Sequence, residues 1–397
     1  MIIYSILVLL IAAICMPYIV LRFKGKERQE RLGFLEKQEN ANNIWVHAAS
    51  VGEVNAAAGL IRRLSENYSV IITTMTTTGQ KRASSLPVKS FFIPFDCIFM
   101  MLRAFKRLQP KAIVLVETEF WPNMLWIANL KKIPVYVVNG RLSKNSFLNY
   151  RRTKFFWKTP WQAIKAISAQ SQIDAQRFKH LGFANVQNHG NLKFSLQLPE
   201  YDAQKLRRQY GYAPQDFILV WGSSRPGEEK LLSEIISQLR NKIPQLQAIV
   251  VPRHLQRLPE VEQNLPDFKL YSQNQFGGDL IVDEMGKLVQ FYAIADLAIV
   301  GGSFFDFGGH NPLEPAFYGV PIIMGPYHSS CKDSVEKLQK NKAIVISNQK
   351  NLKNDIINLV SNKYKLKKIG ENAQKTIWEN SGNIDKTYEF LYKRIES

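Results

Sequence analysis

Short apolar runs rich in β-branched residues alternate with helical stretches along almost the whole chain, in two separate series. Ile44–Ala48, Val70–Thr74, Phe91–Pro94, Ala112–Val116 and Pro134–Val138 have the length and continuity of strands buried on both faces. Between them, Val54–Glu66, Ile98–Leu108 and Pro122–Lys131 carry helical periodicity. The pattern breaks in a polar, proline-terminated stretch, Gly190–Pro199. It then resumes with Phe217–Trp221, Ala248–Val251, Leu280–Asp283, Leu297–Val300 and Val320–Met324. A strand–helix–strand order packs as a parallel sheet covered by helices on both faces. The expected fold class is therefore α/β, with two Rossmann-like domains and a ligand cleft between them at the carboxyl ends of the strands. The expected boundaries are 22–195 for the first domain and 196–365 for the second. A helical segment, 366–397, follows and is free to pack back on the first domain.

Ahead of the first series, Met1–Leu21 contains no charged residue. About 21 residues at 1.5 Å each span about 30 Å, the thickness of a bilayer core. Arg22, Lys24, Lys26, Arg28 and Arg31 follow, a flank that the positive-inside rule places in the cytoplasm. A cleaved signal peptide carries its positive charge before the apolar run, and Met1–Ser5 has none. The expectation is an uncleaved anchor over residues 1–21. Pro17 leaves open whether it spans the bilayer or lies in the interface. Charge separates the halves of the chain. Residues 1–195 hold 27 Lys and Arg against 10 Asp and Glu, an excess of +17, whereas residues 196–397 hold 25 against 23. An anionic lipid, a phosphorylated substrate or a nucleic acid would each suit the first half, as would a plain solvated basic face. The three cysteines, Cys15, Cys97 and Cys331, are too scattered for a disulfide framework or a zinc site.

The chemistry-bearing residues cluster where strands end. After the first strand comes His47-Ala48-Ala49-Ser50-Val51-Gly52-Glu53, with a helix expected from about Val54. Small residues at such a turn admit a ligand to the backbone. Glu53 reads equally as a general base or as a first-turn acid balancing the helix dipole. His47 fits a packed strand-end histidine. Glu117-Thr118-Glu119 closes another strand; in an extended segment its two carboxylates point to opposite sides, so one of them faces the cleft. Asn139-Gly140-Arg141 follows a further strand, and Lys193 sits beside the break between the series. Tyr150–Lys158 interleaves aromatic and basic side chains, which suits phosphates and acyl chains or a solvated face over a core stripe. It carries no signature of a nucleic-acid module.

In the second series, Gly222-Ser223-Ser224-Arg225-Pro226-Gly227-Glu228-Glu229 turns from strand to helix, an arrangement that cradles phosphate. Pro252-Arg253-His254 ends another strand with a cation. Gly301-Gly302-Ser303 and Gly308–Pro315 lead into a helix whose Glu314 is placed to accept from ribose hydroxyls. No Asp-x-Asp pair occurs, so a leaving group would be met by cations and helix N-termini, with no metal or other cofactor expected.

Taken in order, His47–Glu53, Thr73–Gly79, Glu117–Asn123, Gly190–Lys193, Pro252–His254, Asp283–Leu288 and Gly301–Glu314 resemble the motifs of the 3-deoxy-D-manno-octulosonic acid (Kdo) transferases of lipopolysaccharide inner-core assembly. The resemblance covers nearly the whole chain. It implies a GT-B fold and an inverting glycosyltransferase that moves Kdo from CMP-Kdo to a lipid A precursor, lipid IVA. The implied setting is the cytoplasmic face of a bacterial inner membrane, with the membrane lipid as a further partner and no nucleic acid. By the same resemblance, Glu53 is the base, and Glu117 and Lys193 stabilise the transition state. Pro252, Arg253, Met285, Gly286, Lys287, Asn311, Pro312, Leu313 and Glu314 would hold CMP. Lys287 departs from the family's usual glutamate. Two other readings stay open: a GT-B enzyme using a UDP-sugar and a lipid acceptor, and a non-catalytic, basic, membrane-tethered binding protein.

Overall fold

In a computed structural model, which describes residues 1–39, 42–196, 198–380 and 383–396, the chain forms two compact units. One comprises Met1–Ser195 with Asn380–Ser397, the other Leu196–Glu379. Gln197, in the expected linker, and Ser381 and Gly382, in the expected final helical segment, lie outside the described residues.

The first unit holds β1 (Asn43–His47), β2 (Ser69–Thr74), β3 (Lys89–Phe92), β4 (Pro110–Val116), β5 (Val135–Gly140), β6 (Ile164–Ala169) and β7 (Val186–Asn188). They form one parallel sheet in the order β3-β2-β1-β4-β5-β6-β7. All five residues of β1 are buried, as befits a central strand with helices on both faces. Trp45, Ile113 and Val137 point into one core, and Ile44, Val46 and Val114 into the other. The strand order reverses between β1 and β4. A doubly wound sheet opens a crevice at such a switch point, at the carboxyl ends of its strands. Glu53 follows β1 and Glu117 follows β4.

The second unit repeats the plan with β8 (Phe217–Ser224), β9 (Leu246–Pro252), β10 (Lys269–Leu270), β11 (Leu280–Ile281), β12 (Leu297–Val300), β13 (Ile322–Met324) and β14 (Val345–Ile346), ordered β10-β11-β9-β8-β12-β13-β14. Its switch point lies between β8 and β12. The helix Lys363–Asn380 buries Ile369, Ala373 and Ile377. The last helix, Asn383–Ile395, buries Tyr388 and Leu391 in the first unit's core.

The apolar N-terminal run is the helix Ile2–Arg22, long and apolar enough to cross a membrane. Both of its ends rest on the first unit. The Tyr4 hydroxyl donates to Asp96 at 3.2 Å and Ser5 Oγ to Asn123 Oδ1 at 2.5 Å, while the Phe23 and Phe95 rings lie 5.9 Å apart. Ser5 and Ile19 are buried, whereas Ile6, Leu7, Leu10, Ile14 and Leu21 on the other side are exposed. One arginine of the basic flank leaves the surface: Arg31 is 6 % exposed, donates to the Met75 carbonyl at 2.7 Å and sits over the Phe23 and Phe92 rings.

Candidate active site

The turn after β1 starts its helix three residues earlier than the apolar pattern indicates, at Val51. The reason is a cap. Ser50 Oγ accepts from the Glu53 amide at 3.4 Å and donates to Glu53 Oε1 at 2.8 Å. Glu53 Oε2 in turn accepts from the Ala49 amide at 2.8 Å. This is a serine–glutamate capping arrangement, which reads by itself as helix-end chemistry. The electrostatics add something a cap does not need. Burial pushes the Glu53 carboxyl up to about 7 against the lowering effect of those two hydrogen bonds, and Glu119 and Glu117 push it further the same way. A carboxylate poised near neutral pH is suited to taking a proton from a hydroxyl.

A second helix start, Thr77–Ala83, is packed against this turn. A Cβ on Gly79 would lie 2.9 Å from Thr76 Oγ1 and 3.3 Å from the Ser50 carbonyl carbon, so only glycine lets the two N-termini approach. His47 is fully buried; its Nδ1 faces the Thr73 carbonyl at 3.0 Å, and burial holds its pKa down near 4. A carbonyl only accepts, so Nδ1 carries the proton and the ring is neutral. His47 therefore braces β1 against β2, and the Trp121 ring meets it edge-on at 5.6 Å.

The alternation argument for Glu117 and Glu119 fails. Glu117 has φ +62°, which breaks the extended geometry, and both carboxylates act on Glu53. Glu119 accepts from the Trp121 indole at 3.0 Å, and Glu117 pairs with Lys193 at 3.1 Å. Lys193 is delivered to that pair by two asparagines. Asn139 at the end of β5 accepts from the Leu192 amide at 3.0 Å, and Asn191 accepts from the Lys193 amide at 2.9 Å. Glu53, Glu117 and Lys193 thus gather at the carboxyl edge of one sheet. Asp96, which sequence reasoning passed over, belongs to the same edge. It accepts from the Asn123 and Met124 amides, both at 3.0 Å, capping the helix Pro122–Leu130, and burial raises it to about 7. Its signal was present, an acid just past a strand, but nothing local set it apart.

In the second unit, the turn Gly222–Glu229 directs its carboxylates onto protein donors: Ser224 Oγ donates to Glu229 at 2.7 Å and the Arg225 amide to Glu228 at 3.0 Å. Glu228 is 0 % exposed and accepts from the amides of Arg225, Gly302, Ser303 and Phe304 at 2.9–3.1 Å. Glu229 takes a two-pronged ion pair from Arg257, 3.0 Å on each prong. What remains for a ligand is a pair of arginines beside two histidines. Arg225 Nη1 lies 2.6 Å from His254 Nε2, Arg253 is exposed, and His310 is held near 4 by burial and then by Arg253, Arg225 and His254. Gly302, at φ +68°, lies against His310, whose ring a Cβ would approach to 2.9 Å. Asn311 ties the loop to the helix Leu313–Phe317: its Oδ1 accepts from the Leu313 amide at 3.1 Å and its Nδ2 donates to Glu314 at 3.3 Å. Burial raises the Glu314 carboxyl, against the lowering effect of the Asn311 hydrogen bond and then of Arg253. Pro252 ends β9, the neighbour of β8, and Asn311–Glu314 come after the end of β12. Met285-Gly286-Lys287 follows β11 and precedes the helix Leu288–Ile294. Met285 is exposed, and Lys287 pairs with Glu284 at 3.5 Å and lies over the Tyr271 ring. The lysine side chain is thus engaged with its neighbours, and Gly286 has open space around it.

Two Rossmann-type parallel sheets in one chain define the GT-B fold. A solved structure of MurG from Acinetobacter baumannii aligns with a TM-score of 0.55 at 13 % identity, over 89 % of this chain and 99 % of that one. Residues 26–196 match the family described as 3-deoxy-D-manno-octulosonic-acid transferase, and residues 280–376 match glycosyl transferases group 1. A 3-deoxy-D-manno-octulosonic acid transferase of Haemophilus influenzae is 31 % identical over 92 % of this chain and 91 % of its own length. The chain belongs to the Kdo transferase family. A bifunctional glycosyltransferase/methyltransferase of Fusobacterium nucleatum is 35 % identical over 75 % of this chain, which spans about half of that protein's length (49 %).

Proposed function

We propose that the protein transfers Kdo from CMP-Kdo to a hydroxyl of a lipid A precursor, lipid IVA, with inversion, at the cytoplasmic face of the inner membrane. The observation that carries this reading is Glu53: a buried carboxylate with a pKa near 7, fixed at a sheet switch point by Ser50 and Ala49. Glu53 takes the proton of the acceptor hydroxyl as its oxygen bonds to the anomeric carbon of Kdo. The bond from that carbon to the CMP phosphate breaks, and CMP departs with the electron pair. Lys193, paired with Glu117, offers positive charge to the Kdo carboxylate or the departing phosphate. In the second unit Arg253 meets the CMP phosphate, Glu314 the ribose hydroxyls, and Pro252 and Met285–Lys287 line the nucleotide. Asn311, Pro312 and Leu313 set the position of Glu314. No metal or other cofactor enters this scheme. The helix Ile2–Arg22 and the +17 charge of residues 1–195 support a membrane location and an anionic lipid acceptor.

Mass spectrometry of lipid IVA incubated with the purified protein and CMP-Kdo tests the assignment. The expected result is a product heavier by Kdo with stoichiometric CMP. No mass gain, or UDP release from a UDP-sugar with the same acceptor, refutes it. Replacing Arg253 by Ala is expected to raise the KM for the donor by about tenfold to a hundredfold, the range for a lost hydrogen bond to a charged group, with a smaller change in KM for the lipid. An equal effect on both substrates would remove Arg253 from the nucleotide site.

A further inference from the structure

The first unit carries a groove of about 720 Å³ that the transfer reaction does not use. It lies between the segment Lys154–Lys165 and the loop Leu181–Asn185, next to the first residues of β6 and just before β7. That is the amino edge of the sheet, opposite the carboxyl edge that holds Glu53, Glu117 and Lys193. Trp161, Ile164, Leu181 and Phe183 supply an apolar lining, and Phe155, 84 % exposed, stands at its side. Lys154, Lys158 and Lys165 rim it, and no Asp or Glu is among the described lining residues.

Core packing explains part of this. Trp157, Trp161 and Phe183 belong to an aromatic cluster around Phe120, with Trp157 stacked on Trp161 at 5.7 Å. Lys165 donates to the Gln162 carbonyl at 2.9 Å, and Lys154 lies over Gly182 at the C-terminus of the helix Gln172–Leu181, where a cation is favoured. Packing does not account for the exposed Phe155 or for a lined groove with cations on its rim and no acid. An apolar trough beneath lysines matches one kind of molecule, an amphiphile with an anionic head and a hydrocarbon tail. The adjacent element points to its source. Phe156, the neighbour of the lining residue Phe155, packs edge-on against Tyr4 of the apolar N-terminal helix, with ring centroids 5.4 Å apart, so the segment that walls the groove also touches that helix.

We infer that this groove binds an anionic phospholipid of the bilayer, its head group at Lys154, Lys158 and Lys165 and one acyl chain on the Trp161–Phe183 lining. The inference rests on the membrane location proposed above and not on the identity of the sugar transferred. The site is separate from that of the lipid acceptor and would hold the first unit in one orientation on the membrane.

The test uses the full chain on vesicles of phosphatidylcholine with phosphatidylglycerol, a trace of the latter carrying a photoreactive acyl chain, with adducts mapped by peptide mass spectrometry. Adducts are expected on 154–165 and 181–185, competed by unlabelled phosphatidylglycerol and not by added phosphatidylcholine. They should fall about a hundredfold in the K154Q/K158Q/K165Q variant, as expected from losing three charges worth about 1 kcal/mol each near an anionic surface. Turnover of a detergent-dispersed acceptor should stay unchanged. Adducts confined to residues 2–22 on protein that still floats with the vesicles would overturn the groove and leave the membrane location standing. Failure to float at all would overturn the membrane location. Groove labelling by a photoreactive acceptor lipid, or equal competition by phosphatidylcholine, would also overturn the inference.

Discussion

Glu53→Gln is expected to lower kcat by about 10²- to 10⁴-fold, the usual contribution of a general base, while the KM for CMP-Kdo stays close to that of the parent. The substitution keeps the local structure. The glutamine carbonyl can accept from the Ala49 amide as Oε2 does, and its amide can donate to Ser50 Oγ, so the helix Val51–Ser65 stays capped. This separates the two readings of the residue, since a carboxylate present only for the cap would leave turnover intact. The pH dependence gives an independent check. With the carboxyl at about 7, the basic form grows through neutrality, so kcat/KM of the parent should rise between about pH 6 and pH 8 and level off above. That limb should vanish from the residual activity of the variant.

Stability should move the other way. The folded pKa of Glu53 is raised above its unfolded value, so the stability tied to its protonated form is full below the unfolded pKa and is lost as pH rises through about 7. Glutamine carries no such penalty, and the variant's Tm at pH 8 should equal or exceed the parent's. Unchanged turnover at an unchanged Tm would identify Glu53 as a cap alone.

The residues differ in how far their role could be seen in the chain. β1, β2, β4 and β5 were legible because each is an apolar run with both faces buried. β6 and β7 were not. In β6 the exposed Lys165 follows Ile164 and interrupts the apolar run, and the edge strand β7 has only Val186 buried, so neither presents a continuous run. β10 and β14 have two residues each, too few for any period to show. At the site, Lys193 stood out as a cation beside the break between series, but the asparagines that aim it are separated from it in sequence or are ordinary loop residues. The positive φ of Glu117 had no signal either, because that conformation is commonly marked by glycine and here a glutamate adopts it. Gly222–Glu229 shows the converse, a turn whose composition suggested a ligand and whose carboxylates serve the fold.

Glu228→Gln should therefore be among the most damaging single changes outside the reacting residues. Four backbone amides, those of Arg225, Gly302, Ser303 and Phe304, are satisfied by one buried carboxylate. Glutamine keeps one accepting oxygen and turns an NH₂ toward the remaining donors, and each buried donor left unpaired costs about 1–3 kcal/mol. Two such donors set the loss at about 2–6 kcal/mol. In a unit of this size that lowers Tm by about 10 °C, measurable by calorimetry. Burial already raises the carboxyl's pKa, so those four amides are also what keep it charged in a dry site. Nucleotide affinity should fall with stability, because Gly301–Phe304 is the loop against which His310 is packed and from which the chain runs on to Glu314. The opposite outcome follows if those amides face a ligand phosphate: weakening the internal acceptor would free them, and titration calorimetry would show CMP binding preserved or tightened at unchanged Tm. A variant that melts earlier and binds CMP more weakly establishes Glu228 as the pin of the nucleotide loop, and the cations Arg225 and Arg253 as what is left to meet the phosphate.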